Sequence, residues 1–134
     1  MIRRLTAADG GPVFDELLAR QRRGEVEVVV AELDGVAVGR ESLDFTTFEE
    51  PGVIELRDAH VDAARRSRGI GTALMTHLEP IAAERGYSVV ELRFERTNER
   101  ARALYERVGY GLHEADAAAP DEACWRMRKR LPSC

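Results

Sequence analysis

The stretch RRSRGIGTAL at residues 65–74 constrains the chain more than any other. Arg65, Arg66 and Arg68 crowd the positions before Gly69-Ile70-Gly71, and a helical period starts there, with Leu74, Leu78, Ile81 and Ala82 on one face up to Gly86. A helix start has free N–H groups, and glycines let a ligand approach them without meeting a Cβ. With positive side chains beside it, such a start suits a phosphate. Three phosphate sites are built on glycine-rich loops. The Walker type needs Gly-Lys-Ser/Thr, and no glycine here precedes a lysine. The dinucleotide type needs a third small residue where this chain has Leu74, and it does not follow a meander. What remains is a strand, a basic loop and a helix whose N–H groups grip a pyrophosphate.

The surrounding periods place that loop. Residues 1–6 fit a short strand, and GGPVFDELLARQRRG fits a helix with Pro12 in its first turn and Gly24 as its stop. VEVVVAEL, the turn Asp34-Gly35 and VAVGRESLDF predict a hairpin, and Pro51-Gly52 turns into a further strand over 53–61. After the Gly71 helix, which Pro80 should kink, come a strand at 87–94 and a helix at 98–109. A strand near 110–114, a loop at 115–122 and a last strand near 123–131 complete the pattern. The order is β-α-β-β-β-α-β-α-β-β, an α/β (α+β) mixture that 134 residues would fold as one domain, 1–134.

The phrase VDAARRSRGIGTAL contains Arg66-Ser67-Arg68-Gly69-Ile70-Gly71, which resembles the Arg/Gln-x-x-Gly-x-Gly/Ala signature of the GNAT superfamily of N-acetyltransferases, with Val61 as the opening valine. Downstream, NERARALYERVGY resembles the family's second signature through Asn98, Ala101, Leu104, Tyr105, Gly109 and Tyr110. The resemblance implies a GNAT fold: a central mixed, mostly antiparallel sheet whose middle strands splay apart, with flanking helices. Its cosubstrate would be acetyl-CoA. The N–H groups of Ser67, Arg68, Gly69, Ile70, Gly71 and Thr72 would face the pyrophosphate, and Arg66 and Arg68 would add charge-assisted contacts. Backbone groups of Ala59 and Val61 would pair with the pantetheine arm, and the Val61 N–H would polarise the thioester carbonyl.

The catalytic residues carry two readings each. Tyr105 holds the position at which many family members carry the general acid, and a phenol stays protonated at neutral pH. As plain sequence it is also a core tyrosine beside Leu104 and Val108. Asn98 is both a helix N-cap and, by resemblance, a cofactor contact. Glu55 lies six residues before Val61, where histone-type members carry a basic glutamate; it is equally an ordinary strand carboxylate. Ribosomal-protein N-terminal acetyltransferases carry a glutamate where this chain has Arg93, flanked by Glu91 and Glu95, which puts that base and protein N-terminal substrates in doubt.

Residues 7–25 hold one helix where the family usually places two helices and a loop, so the acceptor wall should be short, the cleft open or closed by a second subunit, and the chain should tend to pair as a homodimer. A small-molecule amine and a peptide amine both fit as acceptor, and Asp44, Glu49, Glu50 and Glu55 would favour a cationic one. A non-catalytic acyl-CoA-binding module is the rival reading, needing the loop but not Tyr105. A net charge of −4 argues against a nucleic-acid partner. No apolar run reaches membrane length, and Cys124, Cys134 and the three histidines have no metal-ligand spacing. The expectation is a cytoplasmic protein without metal or membrane partner.

Overall fold

A computed structural model describes residues 1–47, 50–113 and 123–132. The strands are β1 (Ile2–Arg4), β2 (Val26–Leu33), β3 (Val36–Asp44), β4 (Val53–Val61), β5 (Val89–Glu95), β6 (Gly111–Leu112) and β7 (Cys124–Arg130). The helices are α1 (Pro12–Arg22), α2 (Ile70–Glu84) and α3 (Glu99–Arg107), with a single 3₁₀ turn at Ala63–Arg65 before α2. The loop expected at 115–122, Glu49 and Cys134 lie outside the described residues. The seven strands form one sheet in the order β1-β2-β3-β4-β5-β7-β6. All pairings are antiparallel except β4 with β5, which run parallel only over Val53–Glu55 against Val89–Glu91.

Each face of the sheet has its own apolar layer, as the period of two requires. On one face Val29, Leu43, Ile54, Leu56, Val90 and Leu92 pack under Leu74, Met75, Leu78 and Ala82 of α2. Gly39 makes the close approach possible, since a Cβ there would lie 3.2 Å from Ile70 Cγ2. On the other face Val26, Val28 and Val30 pack against Leu17 and Leu5, with Phe14 and Leu18 of α1. α2 runs unbroken past Pro80, whose ring is exposed, so the carbonyl it leaves unpaired one turn back faces water rather than the core.

One buried polar side chain joins α1 to the sheet. The Gln21 amide donates to the Leu5 carbonyl at 3.0 Å, and its oxygen accepts from the Val28 N–H at 2.8 Å. Gln21→Leu keeps the volume but strands both backbone groups in an apolar layer. Each orphan costs about 1–3 kcal/mol, so the substitution should lower stability by roughly 2–4 kcal/mol. Thermal unfolding of the two proteins checks this; equal melting temperatures would refute it.

Candidate active site

The basic loop forms by local necessity. Gly69 is left-handed, with φ 79°, and caps α2 without offering a side-chain oxygen to the first N–H groups. Those donors therefore stay open to a ligand. Gly71 has ordinary helical φ, and its role is space: a Cβ there would meet only Leu104 Cδ2, at 4.0 Å, across from α3. Ser67 also takes a left-handed φ of 64°, and its hydroxyl accepts from the Arg100 guanidinium at 2.8 Å. Arg66 is exposed and donates from Nε to the Val61 carbonyl at 3.1 Å, so it ties the loop to the end of β4.

The gap lies beside this loop. Past Glu55 and Glu91, β4 pairs only with β3 and β5 only with β7, so their facing edges diverge. At the same level β4 carries a bulge, and Asp58 sits at φ 57°. Ser42 donates to the Arg57 carbonyl at 3.0 Å, holding the bulge from β3. The shift of register turns Ala59 and Val61 toward the α2 face, whereas Arg57, two residues earlier, faces the other side. Strain of this kind in a non-glycine residue marks a place where surrounding structure over-determines the backbone.

A cleft of about 820 Å³ occupies the gap, lined by Ala59, His60, Val61, Arg66, Ser67, Gly69, Ile70, Gly71, Thr72, Asn98 and Tyr105. Those residues include every cofactor contact expected from the sequence except Arg68, which is exposed and outside the lining. Asn98 does both things asked of it: its Oδ1 caps α3 by accepting from the Ala101 N–H at 3.1 Å, and it borders the cleft. Tyr105 likewise has two environments. Its ring packs on Phe94 and Tyr110, with centroids 5.4 and 6.3 Å away, while the residue borders the cleft. Burial, with the nearby Glu41 charge adding to it, pushes its phenol up to about 12.

Sequence reasoning missed Arg100 and Arg107, which with Arg65 add positive charge at the cleft, and it missed Glu41. A signal for Arg100 existed, because it sits in the first turn behind Asn98. Glu41 had none, since its place depends on the β3 register.

Glu55 does not line the cleft. Ile54 and Leu56 on either side of it point toward α2, so Glu55 points to the α1 face, level with Asp44 and Glu91 on the neighbouring strands. Arg57 lies 3.6 Å from its carboxylate. The acidity expected around it is largely neutralised. Burial opposes the charge of Asp44, yet hydrogen bonds from Thr46 and Arg20 hold its carboxyl below the usual range. Glu50 is held low by Arg128, which also bonds Glu91 at 2.7 Å. This face is a mosaic of paired charges rather than an acidic field.

A splayed parallel pair, a bulge at its mouth and an anion-ready helix start form one arrangement, and the sequence of residues 3–110 matches the Acetyltransferase (GNAT) family. The chain belongs to that family. An uncharacterized N-acetyltransferase of Archaeoglobus fulgidus is 42% identical over 95 residues, an alignment covering 69% of this chain and 63% of that relative. The chain thus spans less than two thirds of the length of the curated relatives it matches. Among solved structures, a putative acyl-CoA N-acyltransferase of Klebsiella pneumoniae superposes with a TM-score of 0.75 at 26% identity, covering 98% of this chain and 97% of the other. A GNAT family acetyltransferase of Elizabethkingia anophelis with acetyl-CoA bound has the same fold, with a TM-score of 0.73 at 18% identity and coverage of 98% and 97%. Among the described residues, no group of His, Cys, Asp and Glu is placed to hold a metal, and no helix is long and apolar enough to cross a membrane.

Proposed function

We propose that this GNAT-family chain is an acetyl-CoA-dependent N-acetyltransferase that moves the acetyl group to a primary amine of a small molecule or peptide by direct attack on the thioester. The observation that carries it is the convergence, in one cleft, of the open N–H groups of α2, the diverging edge of β4 and Tyr105. A pyrophosphate would lie against Gly69, Ile70, Gly71 and Thr72, with Arg100 and Arg66 at its sides. The pantetheine would follow the edge of β4 past Val61 and Ala59, which puts the thioester near Tyr105.

The cofactor enters from the α2 and α3 side, so the amine is left the α1 side of the gap. Glu55 is on that side, close to where the strands part. An alkyl ammonium with a pKa of about 10 is almost wholly protonated at pH 7, and a carboxylate there can hold it and take its proton, directly or through water. Arg57 stands 3.6 Å from the Glu55 carboxylate, so an ammonium held there would share that carboxylate with the guanidinium. The mosaic of paired charges around it gives no reason to restrict the acceptor to polycations.

The test is release of free thiol from acetyl-CoA against a panel of small amines and peptides, beside a thermal shift with acetyl-CoA alone. Binding with amine-dependent thiol release is the expected result. Binding without release from any amine would support a non-catalytic acyl-CoA-binding module; absence of binding would overturn both readings.

A further inference from the structure

Among the described residues, Glu41 is the one carboxylate that lines the cleft, and neither family signature contains it. It sits on β3 at the bulge, opposite the stretch of β4 between Arg57 and His60, on the face toward α2. Only 4% of the residue is exposed, and its Oε1 has no hydrogen-bond partner. A buried carboxylate without a partner is among the costliest groups a fold can hold, so this one keeps its proton or finds a ligand.

The groups around it do not supply a counter-charge. Glu79 of α2 faces it, and that carboxylate is already bound by Tyr110 at 2.9 Å and Lys129 of β7 at 2.9 Å. Tyr105 of α3 and Tyr110 both feel its charge, and His60 of β4 borders the same cleft, its Nε2 3.3 Å from Asp62. Burial, reinforced by Glu79, pushes the Glu41 carboxyl up to about 8.

We propose that Glu41 is a proton-relay residue of the acetyl transfer, returning to Tyr105 the proton that Tyr105 gives to the leaving thiolate. This rests on the proposed function. In the step, the carbon–sulfur bond breaks with its electron pair on sulfur, and the thiolate takes the phenol proton. As the phenol gives up its proton it takes the carboxyl proton in the same movement, so that the net donor is Glu41, and the resulting Glu41 carboxylate regains a proton from water through the open cleft. Magnitudes favour the relay. A phenol at about 12 is a poor donor to a thiolate whose acid has a pKa of about 8.5, whereas a carboxyl at about 8 is matched to it. Glu41 and Tyr105 are not hydrogen bonded to each other here, and the cleft has room for a bridging water.

Glu41→Gln keeps the shape and removes the transferable proton. With acetyl-CoA and the best amine of the panel, we expect kcat at pH 7 to fall about tenfold or more, with the KM for acetyl-CoA unchanged. The wild type should lose kcat as pH rises through about 8, and the variant should lack that falling limb. A carboxyl raised in the folded state costs stability as pH climbs from its ordinary range through its folded value. The variant should therefore melt higher than wild type at pH 8 and lose that advantage near pH 4.5. Carbon-13 NMR titration of the unsubstituted protein reads the carboxyl without any mutation. Superimposed kcat profiles, a lowered kcat with the same falling limb, or a Glu41 that titrates near 4 would each overturn the relay. Wild-type protein that does not bind acetyl-CoA would instead overturn the functional reading beneath it.

Discussion

Gly71→Val should abolish the rise in melting temperature that acetyl-CoA gives the wild type, while leaving the ligand-free protein folded. The two glycines of the loop differ in what they provide. Gly69 needs its left-handed φ of 79°, so any side chain there strains the backbone whether or not a ligand is present. Gly71 has helical φ, and a Cβ at that position meets nothing nearer than Leu104 Cδ2 at 4.0 Å. Valine in a helix is no worse than glycine by propensity, so stability should change by less than about 1 kcal/mol. Its methyls, however, project into the space between the first turn of α2 and α3, where a pyrophosphate must reach the N–H groups. A ligand at a hundredfold its Kd stabilises the folded state by about 2.7 kcal/mol, and a loss of affinity of at least about a hundredfold removes nearly all of that. Scanning fluorimetry with and without acetyl-CoA measures both quantities together. Normal binding by Gly71→Val would move the pyrophosphate elsewhere; a collapsed ligand-free protein would mean that Gly71 serves packing. Gly69→Val should fail in the opposite manner, losing stability first.

The loop and the element order were legible because their chemistry is local. Arg66 through Gly71 and Asn98 through Tyr110 each occupy one turn-and-helix unit, and the alternation of periods places both units in order. Element ends moved by a residue or two: α2 begins at Ile70 rather than Gly71, and β5 at Val89 rather than residue 87. Arg66 was read as a phosphate ligand, and in the structure its Nε is engaged with the Val61 carbonyl. That contact depends on how the 3₁₀ turn folds the loop back on β4, which no spacing encodes. Glu55 shows a different limit. A period of two sets it on one face with Arg57, but which face meets the cleft follows from where α2 packs and from the bulge at Asp58. Glu41 was illegible for the same reason, and two irregularities lie near it. β3 changes register against β2 between Ala31 and Glu32, and against β4 between Arg40 and Ser42. The first adds a residue to β3 before Gly39 and the second adds one to β4, so Glu41 keeps phase with Gly39 and Leu43, but no period shows that the α2 face opens into the cleft there.

Tyr105→Phe tests the other half of the site with a minimal change. The ring contacts to Phe94 and Tyr110 survive, so folding should be undisturbed. The substitution removes one hydroxyl that is largely withdrawn from water, and acetyl-CoA affinity should stay within about twofold because the proposed phosphate contacts lie on other residues. The chemical step is a separate matter. Expulsion of the thiolate from a tetrahedral centre is helped when a donor meets the charge as it develops, and a positioned general acid contributes roughly 10²–10⁴-fold. Water entering the open cleft can replace part of that, so kcat should fall roughly ten- to a thousandfold rather than to nothing. The pH dependence separates acid from bystander. With the phenol pushed up to about 12, Tyr105 itself stays protonated across any workable range. No limb of the profile below pH 10 should therefore belong to it, and any falling limb near 8 should belong to Glu41. In Tyr105→Phe that limb should weaken or vanish together with kcat, because the Glu41 proton then has no path to the sulfur. Single-turnover thiol release measured from pH 6 to 9.5 in both proteins shows which holds. A phenylalanine variant with unchanged kcat would return Tyr105 to the core, where its ring already sits.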